Sequence, residues 1–172
     1  MKKIGLIVNP IAGMGGSVGL KGTDGNLYKK ALELGAKAVA PIKVRQFLES
    51  LTTNKELKLY IAPNKMGADY IESAEFEIEV IGNIKEVSSA DDTKRITKLL
   101  IDEKVDLIIF FGGDGTARDI YDVVGLKLPV VGVPSGVKMF SSVFTINPRA
   151  AAELVNLFIL ERTEFEEREV LD

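Results

Sequence analysis

The chain has 172 residues and a formal net charge of −3, with no cysteine and no histidine. That length suits one ordinary domain, which buries roughly 70% of its unfolded surface and needs no disulfide or metal staple. The missing residue types exclude disulfides, thiolate and histidine metal sites, cysteine nucleophiles and Ser-His-Asp triads, so proton chemistry falls to Asp, Glu, Lys or Tyr. The acidic balance argues against a nucleic-acid partner. No apolar run approaches the ~18 residues of a membrane span. The N-terminal run Ile4 to Val8 is shorter than the ~7–15 residue core of a signal peptide. The sequence therefore predicts a cytoplasmic protein with no membrane partner.

Ile4 to Val8 reads as a first strand, running into Asn9-Pro10 and a Gly-rich segment through Gly25. Taken alone, such a segment is either a surface loop or a backbone cradle beside a ligand. It matches neither the Walker loop nor the dinucleotide fingerprint. Asn26 caps a predicted helix to about Glu33, with Gly35 ending it. Pro41 fits the first turn of a second helix through about Leu51, with Val44, Phe47, Leu48 and Leu51 on one face.

Leu57 to Ala62 is the second strand, and a short helix is expected near 68–73. Phe76 to Ile81 alternates apolar residues with Glu75, Glu77 and Glu79, the pattern of an exposed edge strand. Ser89 starts a helix to about Glu103 that buries Ile96, Leu99 and Leu100. A fourth strand ends at Phe111, a helix is expected from about Ala117 to Val124, and Pro129 to Val133 is the last strand. Asn147-Pro148 opens a helix to about Leu160. Strands alternating with helices predict a three-layer, doubly wound α/β fold, with a mostly parallel, Rossmann-like sheet of about five to six strands.

The most informative stretch is 106–119, DLIIFFGGDGTARD. Leu107 to Phe111 are apolar throughout, as in a strand buried on both faces. Gly112-Gly113-Asp114-Gly115-Thr116 follows at once, a turn almost free of Cβ atoms, with a helix expected to start near Thr116. A buried strand, a bare turn and a helix N-terminus make an anion site, most often for phosphate. As a bare GGDG it could equally be a structural turn whose Asp caps the helix. The whole pentapeptide arises by chance on the order of 10⁻⁶ times per position at ordinary composition, which favours the functional reading. Turns after Val8, Phe111 and Val133 all leave the C-terminal ends of strands, the edge where doubly wound sheets hold ligands.

The blocks VNPIAGMGGSVGLKGTDG, DLIIFFGGDGTARDI and PSGVKMFSSVF resemble the superfamily of NAD kinases, diacylglycerol and sphingosine kinases, and phosphofructokinases. The fuller match is similar to its archaeal and bacterial ATP-NAD kinase branch, which includes proteins associated with acetoin utilisation. The resemblance implies a phosphotransferase that uses ATP (or another donor) and Mg²⁺ to phosphorylate the ribose 2′-hydroxyl of NAD. It implies that Asp114 takes the hydroxyl proton and that Gly112, Gly113, Gly115 and Thr116 hold donor phosphates. Asn9 would contact the nucleotide.

Gly136, Lys138 and Met139 stand where the lipid kinases show Gly-Thr-Gly-Asn-Asp, a departure that counts against a lipid acceptor. Lys138 would neutralise phosphate or be a plain surface lysine. Asp24 would serve Mg²⁺ or a ribose, or be a plain turn residue. Residues 1–162 then form the nucleotide-binding domain. Residues 163–172 would begin the crossing into a second, β-rich domain absent from this chain, leaving the chain alone inactive. The expected partners are nucleotide substrates and a second copy in a homo-oligomer. A regulatory nucleotide-binding protein without transfer, linked to acetoin utilisation, is the alternative; a lipid kinase is a weaker one.

Overall fold

The structure, a computed structural model, describes all residues except 22, 24, 25, 53–55, 73, 74, 86, 137, 138 and 172. Its strands are β1 (Lys2–Val8), β2 (Leu57–Ile61), β3 (Glu77–Val80), β4 (Leu107–Gly112) and β5 (Val130–Pro134). Its helices are α1 (Asn26–Glu33), α2 (Ala40–Ser50), α3 (Ala90–Asp102), α4 (Asp114–Val124) and α5 (Pro148–Ile159). The sheet has five strands, all parallel, in the order β3-β2-β1-β4-β5. This is a Rossmann-like α/β fold. As the alternating glutamates implied, β3 is an edge strand.

Each face of the sheet carries its own core. On one, Ile4, Leu6 and Val8 of β1 join Leu107, Ile109 and Phe111 of β4 beneath α2 and α5. On the other, Ile7, Ile108 and Phe110 pack beneath α3 and α4. The alternation places Phe111 edge-on to Phe47, 5.6 Å between ring centres, and Phe110 edge-on to Phe144, 5.5 Å. All six residues of β4 are buried, the physical content of its uninterrupted apolar run. Burying a phenylalanine contributes about 1.5–3 kcal/mol, so Phe110 and Phe111 pin the strand from both sides.

Local capping chemistry sets several boundaries. Ser89 and Asp92 form a reciprocal capping box at the start of α3. Asn147 accepts the Ala150 N–H at 2.8 Å and Pro148 occupies the first turn of α5. The expected helix near 68–73 is a 3-10 turn over Ala68–Tyr70, and residues 73 and 74 lie outside the described set. None of the described helices is long and apolar enough to cross a membrane.

The register places the strand ends level: Val8 lies beside Phe111, and Phe111 beside Val133. The central strands β1 and β4 are neighbours, while the chain winds outward from them in opposite directions. The crevice between their C-terminal ends is the switch point at which such sheets take ligands.

Candidate active site

Three loops meet at this crevice. Leaving β1, the Asn9 N–H still donates to the Phe111 carbonyl at 2.8 Å, so the loop stays joined to β4. The Asn9 side chain then acts in two directions. Its Oδ1 accepts the Ile11 N–H at 3.2 Å, closing a local turn, and its Nδ2 donates to Thr116 Oγ1 at 3.1 Å. One side chain thereby ties the loop after β1 to the first turn of α4. The first half of the Gly-rich segment is folded: Ala12 and Met14 are buried, and Gly16–Val18 makes a 3-10 turn. Gly13 sits at φ +80, where a Cβ would lie 2.0 Å from the Ser135 carbonyl oxygen. That glycine lets the loop after β1 touch the loop after β5.

The glycine turn is shorter than its sequence suggests. The strand continues through Gly112, and α4 begins at Asp114 rather than near Thr116 or Ala117. Gly112 makes the abrupt reversal possible, because a Cβ there would come within 2.5 Å of Thr116 Oγ1. Gly113 is the N-cap residue, extended at φ −118, and no side chain caps the helix. The first amide groups of α4 thus lack the carboxylate or hydroxyl that caps α3. Gly115 differs from Gly112: a Cβ there meets nothing within 4 Å. Packing does not require glycine at that position.

Asp114 is 4% exposed, in the first helical turn, where a negative charge is favoured by the helix dipole. Its Oδ2 accepts the Phe140 N–H at 2.6 Å and its Oδ1 the Ser141 N–H at 2.9 Å. Burial pushes its pKa up, but the hydrogen bonds from the Ser141 hydroxyl and from the backbone of Phe140 and Ser141 together hold it below the ordinary value of 3.8. The Ser141 hydroxyl also meets the Leu171 backbone, accepting its N–H at 2.9 Å and lying 3.2 Å from its carbonyl oxygen. A hydroxyl has one proton, and the carboxylate is the stronger of the two acceptors. Residues 163–171 accordingly lie back against the domain, with Phe165 edge-on to Phe158 at 5.9 Å.

A family model of the ATP-NAD kinase N-terminal domain matches residues 4–163. The chain belongs to this family. The match spans the loops after β1, β4 and β5. No curated protein gives a significant match to the chain. Among solved structures, a diacylglycerol kinase from Bacillus anthracis str. Sterne is 19% identical with a TM-score of 0.36. The alignment covers 93% of this chain and 42% of that one. At that score the likeness carries no argument about acceptor or mechanism.

Within this ATP-NAD kinase domain, Asn9, Gly112, Gly113, Asp114, Gly115 and Thr116 are together at the crevice. Gly136 follows buried Ser135, whose N–H donates to the Gly112 carbonyl at 3.0 Å. Asp24 and Lys138 lie outside the described residues.

Two residues at this edge escaped sequence reasoning. Ser141 is one; it lies 27 positions from Asp114, with no periodicity linking the two. Lys43 is the other. It is the fourth residue of α2, half-buried, and its ammonium donates to the Pro134 carbonyl at the end of β5. Burial holds its pKa below the usual lysine range. The available signal was a lysine in a helical first turn that has no acidic residue.

A cavity of about 610 Å³ lies elsewhere, between α4, the outer edge of β5 and residues 163–170. Its walls are mostly apolar, and neither Asn9 nor residues 112–116 line it. Phosphate chemistry needs N–H donors and charge, so the crevice, not this cavity, is the candidate site.

Proposed function

We propose that the crevice binds the phosphates of ATP, or of another donor, and supports transfer of the γ-phosphate to the ribose 2′-hydroxyl of NAD. The observation that carries this reading is the uncapped first turn of α4, which follows Gly112-Gly113 at the switch point and is braced by Asn9 through Thr116. Free N–H groups, the helix dipole and the open space at Gly115 suit a phosphate chain. Membership of the ATP-NAD kinase family supports the NAD acceptor.

In the proposed reaction the 2′-hydroxyl oxygen forms a bond to the γ-phosphorus. The bond from that phosphorus to the β–γ bridging oxygen breaks, ADP leaves, and the hydroxyl proton passes to the Asp114 carboxylate. With its pKa held low, Asp114 is ionised at neutral pH and a weak base. Phosphoryl transfer relies chiefly on alignment and charge stabilisation, so orienting the hydroxyl in line is its main service. The two N–H groups and the Ser141 hydroxyl occupy three of the roughly four lone-pair directions of the carboxylate, which leaves one for the substrate hydroxyl.

Mg²⁺ bound with the donor would neutralise its phosphates. Among the described residues no group of three or more ligating side chains forms a metal cage. Mg²⁺ needs none when phosphates and water fill most of its shell.

One observation favours a second reading, nucleotide binding without transfer: both oxygens of Asp114 are already engaged by Phe140 and Ser141. Calorimetry with ATP tests the site common to both readings, and absence of ATP binding rejects it. A coupled assay for NADP, from NAD and Mg-ATP, separates the two. Transfer that falls by orders of magnitude in an Asp114→Asn variant that remains folded and binds ATP supports catalysis by Asp114. ATP binding with no NADP formed by the full-length protein supports binding alone.

A further inference from the structure

Lys43 sits against its own electrostatics. It lies in the first turn of α2, where the dipole disfavours a cation, and that turn has no acidic residue and no side-chain cap. The side chain is half-buried, which disfavours the charged form. Among the described residues no carboxylate pairs with it; its partner is the neutral Pro134 carbonyl. Lys58, by contrast, meets both Glu77 and Glu79, and Lys94 meets Asp122; Lys3 also donates to a backbone carbonyl, that of Glu103, but at an exposed position. An ammonium disfavoured by helix and by burial, with no counter-charge beside it, would be stabilised by an arriving anion.

Its position says which anion. Pro134 pairs with Gly112 across β5 and β4, and the next residue, Ser135, donates to the Gly112 carbonyl. Lys43 therefore reaches the strand end beside the glycine turn from the opposite face of the sheet to α4. We propose that Lys43 is a phosphate-binding residue of this site, its ammonium serving the terminal phosphates of the bound nucleotide. The proposal rests on the reading that the crevice holds nucleotide phosphates. Two uncapped helix starts, of α2 and α4, then flank the phosphate chain, with Lys43 supplying full charge where α4 supplies N–H groups.

The competing role is a structural pin between α2 and β5. Lys43→Gln separates the two, since it keeps a donor for the Pro134 carbonyl and removes the charge. ATP affinity by calorimetry and the thermal midpoint are measured for wild type, Lys43→Gln and Lys43→Arg. The expected result is an ATP affinity at least fivefold weaker in Lys43→Gln, restored in Lys43→Arg, with an unchanged or higher midpoint in Lys43→Gln. A loss below fivefold overturns the proposal. So does a loss accompanied by a lower midpoint, or one that Lys43→Arg fails to restore, because both belong to a pin. Wild-type protein that binds no ATP removes the phosphate reading itself, and the role of Lys43 falls with it.

Discussion

Replacing Asp114 by asparagine changes little in shape and much in hydrogen bonding. The carboxylate accepts two backbone N–H groups, from Phe140 and Ser141. Asparagine offers one acceptor oxygen and turns an NH₂ donor toward the other N–H. Leaving one buried N–H unsatisfied costs about 1–3 kcal/mol. Removing the negative charge from the first turn of α4 costs a further ~0.3–1 kcal/mol. The expected loss is therefore about 1–4 kcal/mol, a large part of the ~5–15 kcal/mol that holds a domain folded.

Urea unfolding at neutral pH measures the global part of this loss. Amide exchange at Phe140 and Ser141 measures the local part, expected to accelerate by about 10- to 1000-fold, since 1.4 kcal/mol is a factor of ten. The pH dependence gives an independent check. The folded state holds the Asp114 pKa below 3.8, so the unfolded chain binds the proton more tightly. Its contribution is complete above the unfolded value and is lost as the pH falls through the folded one. Wild type and Asp114→Asn should therefore converge in stability in that acid range. Equal stability at neutral pH, or a gap that persists unchanged in acid, would refute the assignment of Asp114 as an ionised anchor of the 140–141 loop.

Two further substitutions separate packing glycines from ligand glycines. Gly115→Ala introduces a Cβ into open space within a helix, so the thermal midpoint should rise, in line with the ~0.5–1 kcal/mol by which alanine favours a helix over glycine. ATP binding should weaken in the same variant, and unaltered ATP affinity would remove Gly115 from the site. Gly13→Ala should lower the urea midpoint sharply, because a left-handed backbone costs an L-residue ~1–2 kcal/mol and the Cβ collides with the Ser135 carbonyl. A midpoint within error of wild type would show that the contact between the β1 and β5 loops is absent in solution.

Much of the architecture is legible in the chain itself, because its determinants are local. Period-two glutamates marked β3 as an edge, the double-faced apolar run of Leu107 to Phe111 marked β4 as central, and Ser89 and Asn147 marked helix starts by their own hydrogen bonds. The GGDGT block pointed to the proposed anion site because bareness of the backbone is itself a sequence property. The extent of the turn was not legible: whether Gly113 or Thr116 opens α4 depends on Thr116 packing over Gly112 and on partners for Asp114 that arrive from residues 140 and 141.

Lys43 was illegible for a related reason. As a sequence position it is one lysine in an amphipathic helix. Its meaning comes from the doubly wound topology, which brings the start of α2 to the end of β5, 91 residues away, and leaves a half-buried cation beside the glycine turn. Periodicity and caps are short-range, so the sequence alone sufficed for the elements and for locating the glycine turn. Burial and counter-charge are long-range, so tertiary structure alone decided that Asp114 is anchored and that Lys43 has no acidic partner among the described residues.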